Sequence, residues 1–302
     1  MAQMHNWDDL RLFLAVARQQ SLSGAGKELR LDPATLGRRV ARLEKALQAV
    51  LFVKSPQGYA LTEAGAQLLE RAEAAERAMH LATEGIAAHS DEVQGQIRIG
   101  APDGCANFLL PQVCAQIAKE NPGLDIQIVA LPRVFNLSRR EADMAIGVSA
   151  PTAGRLVVKK ITDYHLHLAA SEGYLSGHAP ITTITDLKAH RMVGYIPDMI
   201  FDGELDYLAD LGGDRVPLAS NSVSVQVNMI RQGGGVGVVH DFSLPATPRV
   251  HRILATEFSL SRAFYLIRHA DDQRNGRLNR FAKALTAGLR TEVARLEALA
   301  GV

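Results

Sequence analysis

The sequence predicts an α+β multidomain chain: a helical amino-terminal unit with a small β-hairpin, one long helix, and a two-lobed α/β carboxy-terminal region. Three observations carry that expectation. Apolar residues recur at helical spacing near the amino terminus, interrupted by two short strand-like runs. From Leu61 to Ile86, small or apolar residues repeat at alternating intervals of four and three. Beyond Gln96, strand-like and helix-like segments alternate. At 302 residues the chain has room for two or three domains.

Asn6 is placed to cap a helix with Leu10, Phe13, Leu14 and Ala17 on one side. Ser21 and Ser23 break that pattern and offer the next cap, for a short helix with Leu22, Ala25 and Leu29 inward. Arg30-Leu31-Asp32 is a tight connection into a third helix over Asp32–Glu44. There Asp32 is a good N-cap and Pro33 suits the first helical position. Leu36, Val40, Leu43 and Leu47 form one apolar stripe; Ala34, Thr35, Arg38, Arg42 and Lys45 point away from it, and Arg39 lies on its flank. That outer face is small at its start and cationic beyond, as an approach to base edges and phosphates requires. An ordinary solvated basic face is the bland alternative. Two helices joined by a few residues, the second basic outside, make a helix-turn-helix. Leu51-Phe52-Val53 and Tyr59-Ala60-Leu61 flank the turn-forming Lys54-Ser55-Pro56-Gln57-Gly58, a hairpin wing with a cation near its tip.

The connector follows. Leu61, Gly65, Leu68, Ala72, Ala75, Met79, Ala82 and Ile86 form a heptad seam, which favours a paired helix over a lone one, packing on its own chain being the alternative. Glu70, Arg71, Glu73, Glu76, Arg77 and Glu84 lie mostly off the seam, where solvated residues belong. His89-Ser90-Asp91-Glu92 breaks the pattern as a linker.

In the carboxy-terminal region, Ile97–Gly100, Leu124–Val129 and Asp143–Gly147 read as strands, with a helix over Asn107–Glu120 and a short one around Val134–Arg140. A second α/β unit begins near Tyr164, with strands at His165–Ala169, Val193–Ile196, Val236–Val239 and Arg262–Ile267, and helices over Val223–Gln232 and Leu278–Leu299. Two such lobes joined by crossing strands form a cleft, where small ligands usually bind. The expected domains are 1–62, 63–90 and 91–302, the last split into lobe I (93–162 and 267–302) and lobe II (163–266).

Net charge is +1, so no basic field surrounds the whole chain. Residues 1–65, however, carry nine Lys or Arg against six acids, whereas the segment after residue 90 carries 22 of each sign. The surplus sits where phosphate attraction would need it. No run approaches a membrane span and the amino-terminal stretch is not a signal peptide, so a soluble, cytoplasmic protein with no membrane partner is expected.

Several spaced motifs carry a family resemblance. Leu10-Arg-Leu-Phe-Leu-Ala-Val-Ala17, Ser21-Leu-Ser23, Leu43-Glu44, Leu51-Phe52 and Leu61-Thr-Glu-Ala-Gly65 resemble the winged helix-turn-helix of LysR-type transcriptional regulators. Departures are Ala25-Gly26 for Ala-Ala, Asp32-Pro33-Ala34 for Ser-Gln-Pro, and Lys54 for Arg. Ala142-Asp-Met-Ala-Ile-Gly147 and Gly233-Gly-Gly-Val-Gly-Val238 are similar to the periplasmic-binding-protein-like effector domain of the same family. The resemblance implies a regulator that binds operator DNA in double-stranded promoters, dimerises through the linker helix as a homodimer or homotetramer, answers a small-molecule effector and works with RNA polymerase. It places DNA contacts at Ser21, Ser23, Pro33, Ala34, Thr35, Arg38, Arg39, Arg42 and Lys54.

Loops that follow strands line the expected cleft: Asp103, Gly104, Cys105, Phe135 and Val148 from lobe I, with Ile196, Phe201 and His240 from lobe II. Asp103 either caps its own helix or faces the cleft, where it favours a cationic, amine-bearing or hydroxylated effector over a simple carboxylate. Phe201 either walls the pocket or packs into its lobe. Cys105 is expected as a small buried residue rather than a redox sensor. Cys105 and Cys114, if on one helix, stand about 13 Å apart, too far for a disulfide. Gly233–Gly237 lacks a P-loop ending and follows a helix, so it reads as a C-cap. His165 and His167 share a strand face without a third ligand nearby, so a half-exposed face is expected and no metal. No nucleophile elbow, metal motif or dinucleotide fingerprint appears, so neither catalysis nor a cofactor is expected. A two-lobed enzyme with assembly helices would not need the wing, and an architectural DNA binder would not need the cleft.

Overall fold

Asn6 begins the first helix of the computed structural model: its side-chain oxygen accepts from the Asp8 amide at 3.0 Å and opens α1 (Trp7–Gln19). The structure describes residues 6–55, 58–87, 93–130, 142–151, 154–208, 211 and 215–301. The chain divides into two compact units, Met1–Ser90 and Asp91–Val302.

In the first unit, Ser21 caps α2 (Leu22–Leu29) through the Gly24 amide, and Asp32 caps α3 (Pro33–Leu47) through the Thr35 amide at 3.0 Å. Leu12, Phe13 and Val16 of α1 are fully buried against Ala25, Leu36, Val40 and Leu43. Each such side chain contributes roughly 1.5–3 kcal/mol. Gly26 fits the tight connection: a Cβ there would lie 2.6 Å from the Leu31 carbonyl oxygen. Next come β1 (Phe52–Ser55) and β2 (Gly58–Leu61), paired antiparallel with Lys54 opposite Tyr59. Glu44 accepts from the Leu51 amide at 2.8 Å, and the Tyr59 amide donates to the Gln20 carbonyl at 2.9 Å, so the hairpin is tied to both α3 and the end of α1.

Thr62 accepts from the Gly65 amide at the start of α4 (Glu63–Ala87). The expected seam divides. Leu68 and Ala72 pack on the unit's own core, and a Cβ on Gly65 would lie 2.1 Å from the Leu51 carbonyl oxygen. Ala75 and Met79 stay exposed. Glu73 and Glu76 are not solvated as expected: Glu73 is buried, and Arg18 of α1 reaches Glu76 at 2.7 Å and Glu73 at 4.0 Å. The break expected at His89–Glu92 lies outside the described residues.

The second unit starts with β3 (Gly95–Ala101). Two helices stand where the sequence predicts one: α5 (Asp103–Phe108) and α6 (Leu110–Glu120). Leu109 leaves the helical region (φ −120°, ψ −51°) just before Pro111, which has no amide hydrogen to continue the ladder. The cysteines consequently sit on different helices, both free and buried. Parallel to β3 run β4 (Leu124–Ala130) and β5 (Met144–Gly147). The helix expected around Val134–Arg140, and Phe135 with it, lies outside the described residues.

A 16-residue strand, β6 (Leu156–Ser171), then α7 (Glu172–Ser176), leads into the second half. There β7 (Met192–Gly194) pairs parallel with β8 (Leu218–Ala219), α8 (Val223–Arg231) follows, and β9 (Val236–His240) pairs parallel with β7 and antiparallel with β6. Gly233 (φ +78°) and Gly235 (φ +152°) make the turn from α8 into β9, the C-cap the sequence predicts. A short β10 (Val250–Arg252) pairs with the end of β6, and β11 (Ser259–His269) returns antiparallel along its length. One sheet in the order β4-β3-β5-β11-β6-β9-β7-β8 thus runs through both lobes, and β6 and β11 are the crossing strands. Their register slips between Phe264 and Tyr265, leaving Ile161 as an extra residue whose carbonyl accepts from Arg290. Arg290 belongs to α9 (Gly276–Leu299), which buries Leu278, Phe281, Leu285, Leu289 and Val293. The end of α9 bonds to lobe II, where Glu297 accepts from the His165 amide and Arg252 donates to the Ala300 and Gly301 carbonyls.

The half-exposed histidine face expected on β6 forms only in part: His165 is 40% exposed in its side chain, and its strand neighbour is not. His167 is buried, 2.8 Å from the Asp241 carboxylate, and His165 meets Glu297 at 3.1 Å.

Candidate nucleic-acid interface and ligand cleft

Both candidate surfaces are set by helix starts. On α3, the Asp32 cap leaves Pro33 and Ala34 exposed at the first turn. Arg38 is exposed one turn on, its guanidinium donating to Thr35 Oγ1 at 3.1 Å. Ser23 is exposed at the head of α2. On the hairpin, Lys54 is exposed with Nζ 5.8 Å from the Tyr59 ring centre. Small side chains followed by cations on one exposed helix can approach base edges and phosphates.

The other three expected contacts are already engaged. Ser21 spends its oxygen on the α2 cap. Arg39 and Arg42 both turn to Asp9 of α1: Arg42 holds both carboxylate oxygens, at 2.6 and 2.7 Å from one nitrogen, and Arg39 donates to Oδ1 at 2.9 Å. Arg42, expected on the outer face, and Arg39, expected on its flank, are thus both drawn toward α1. Asp9 is buried by the same packing that buries Leu12 and Phe13, so its charge must be matched from the neighbouring helix. Hydrogen bonds from Arg11 and Arg39 hold the neighbouring Asp8 carboxyl below its usual range. Sequence reasoning missed this pairing because nothing local links Asp9 to residues thirty positions on.

In the second unit, Asp103 does not cap its own helix. Pro102 occupies that position, and the Asp103 carboxylate crosses to lobe II, accepting from the Ser224 amide at 2.9 Å and its hydroxyl at 3.0 Å. It thereby fills the first turn of α8, where open amides and the helix dipole favour an anion. A second crossing runs the opposite way, from the Ser149 hydroxyl of lobe I to Asp202 of lobe II. Gly104 completes the contact: a Cβ there would lie 3.4 Å from the His240 ring and 3.5 Å from Val223. Cys105 and Val148 are buried, Ile196 is half-buried, and Phe201 packs against the lobe core.

Beneath these contacts lies an aromatic cluster that the sequence reading did not assemble. Tyr164, at the crossing of β6, stacks on Phe264 at 4.2 Å and on His240 at 5.4 Å. The Tyr207 hydroxyl stands 3.4 Å from His240 Nε2. Burial pushes the His240 pKa down to about 3 and lifts the phenols of Tyr164, Tyr195 and Tyr207 above their usual range. Burial also raises both thiols, Cys114 to about 11, which fits the small buried residue expected at Cys105. Among the described residues no group of three or more His, Cys, Asp or Glu is arranged to hold a metal.

The sequence pattern of the bacterial regulatory helix-turn-helix protein, lysR family, matches residues 7–66, and that of the LysR substrate binding domain matches residues 90–290. The chain belongs to the LysR family. A probable hydrogen peroxide-inducible genes activator of Mycobacterium avium is 30% identical over 264 residues, covering 84% of this chain and 83% of that protein. The transcriptional regulator DmlR of Escherichia coli is 26% identical over 182 residues, 60% of this chain and 59% of that protein. Full-length OxyR from Pseudomonas aeruginosa shares the fold, with a TM-score of 0.71 over 94% of this chain and 97% of that one at 17% identity. As a LysR regulator, the chain is a DNA-binding transcriptional regulator with an effector-binding domain, in a family of transcriptional regulators rather than enzymes. No helix among the described residues is long and apolar enough to cross a membrane.

Proposed function

We propose that this LysR regulator reads operator DNA with the exposed start of α3 and the hairpin, through Ser23, Pro33, Ala34, Thr35, Arg38 and Lys54. The single observation that supports this most is the Asp32-capped first turn, which presents Ala34 and Thr35 beside an arginine that no acid of the unit pairs among the described residues. A homodimer or homotetramer doubles that surface. The protein works in the cytoplasm, at promoters, with RNA polymerase as its partner.

Its effector lies between the lobes, against Asp103, Gly104, Cys105, Val148, Ile196, Phe201 and His240; Phe135, also expected there, lies outside the described residues. Support comes from the two carboxylate–serine crossings, which an effector must break or keep if it is to favour one lobe arrangement. Asp103 already supplies the anion at α8, so the cleft suits an amine-bearing or hydroxylated effector better than a simple carboxylate. Polarisation titration of operator fragments recovered by the wild-type protein tests the DNA face. Arg38→Ala should weaken binding by about 1–3 kcal/mol at fixed salt. Wild-type affinity in that variant would remove α3 from the interface.

A further inference from the structure

Three arginines lie within five positions on α3, yet their surroundings differ. Arg38 is exposed, and its guanidinium donates to the Thr35 hydroxyl. Arg42 is 58% exposed in its side chain, but its guanidinium grips both oxygens of Asp9. Arg39 reaches the same carboxylate and also Asp8. Asp9 is 6% exposed, so water competes little for it, and four guanidinium hydrogen bonds occupy its two oxygens. A bidentate arginine–carboxylate pair is geometrically specific and strong for its class.

Duplex DNA draws a regulator mainly through phosphate charge, irrespective of sequence, and each arginine that neutralises a phosphate adds to that attraction. An arginine already matched to a carboxylate in the same fold adds little. Discrimination is the ratio of operator to random-sequence affinity, so charge withheld from phosphates raises it. Resting on the reading that α3 faces DNA, we propose that Asp9 is a specificity-determining positioning residue, which holds Arg42 and Arg39 on α1 and withholds their charge from the phosphate backbone. Asp9 itself touches no DNA. It acts through the two arginines, and Arg38 carries the sequence-reading contact on that face.

Asp9→Asn keeps the shape and removes the charge. Binding of the full-length variant to a random duplex and to the recovered operator fragment, across a salt series, tests the proposal. For the random duplex, affinity should rise roughly tenfold at about 0.1 M salt per arginine released, and the slope of log K against log salt should steepen by about one per recognition unit. Operator affinity should rise less, so the ratio falls. Asp9→Glu should recover the wild-type slope. Arg42→Gln, which removes the withheld cation while α1 stays intact, should leave the random-duplex slope unchanged. That variant keeps the question answerable if Asp9→Asn fails to fold. An Asp9→Asn protein that binds both duplexes with the wild-type slope, or an Arg42→Gln protein whose slope falls by about one, overturns the proposal. Arg38→Ala runs alongside: if it leaves both affinities unchanged, the placement of α3 on DNA has failed instead.

Discussion

Single residues show where sequence rules change sign in a packed structure. Gly26 looks like a cost in the middle of a helix, roughly 1 kcal/mol against Ala. Its missing Cβ is instead what lets the Leu31 carbonyl turn inward at the connection between α2 and α3. Gly26→Ala should therefore destabilise the first unit by about 1–3 kcal/mol, because the obstructing atom is backbone and cannot rotate away. A higher thermal midpoint for that variant would restore the propensity argument. His240 makes a second case. With its pKa pushed down to about 3 in the folded state and near 6.5 in the unfolded chain, the unfolded form binds the extra proton as pH falls below about 6.5. Stability is then lost with acidification, by roughly 2 kcal/mol at pH 5. Urea midpoints at pH 7 and pH 5 should show this loss shrink in His240→Asn; equal losses in the two proteins would refute it. The Asn6, Ser21 and Asp32 caps were legible in the sequence because capping is local. The clamp on Asp9 was not, since its partners come from a helix brought near only by folding.

At the scale of elements, periodicity locates helices without saying what covers them. The stripe from Leu61 to Ile86 is continuous in sequence, but α4 spends Gly65, Leu68 and Ala72 on its own unit and leaves Ala75 and Met79 exposed. Glu73 and Glu76 turn inward because Arg18 waits on α1, which no heptad argument anticipates. If the exposed part of α4 pairs with a second copy, Ala75→Glu with Met79→Glu should set like charges against each other and reduce the assembly to smaller species. Light scattering at fixed protein concentration reads the mass, and an unchanged value would move the contact elsewhere. Strands with alternating or continuous apolar runs were legible, as was the helix C-cap at Gly233. The break at Leu109 was missed because Pro111 is tolerated in a first helical turn, and the pattern alone does not say that a new helix starts there.

For the whole molecule, the winged first unit and the two-lobed second unit were both legible, since each follows from the order of its elements. The contacts between lobes were only half legible: Asp103 and His240 were expected at the cleft, whereas Ser224, Ser149, Asp202 and the tyrosines meet through the sheet crossing. Asp103→Ala removes two hydrogen bonds to a charged acceptor, so the second unit should lose about 1–3 kcal/mol of stability, with operator affinity in the absence of effector nearly intact. A calorimetric scan and an operator titration of the purified variant read the two quantities. An unaltered scan would mean that this crossing does not hold the lobes. The crossing strands also impose an order in time. β5 cannot pair with Tyr265–Ile267 of β11 until about 120 further residues have been made, roughly 6–24 s of synthesis. On the ribosome, the helices and hairpin of the first unit are therefore finished long before the sheet of the second. A chain cut short within α9 should leave a complete winged unit joined to an effector domain whose sheet is not closed by its last helix.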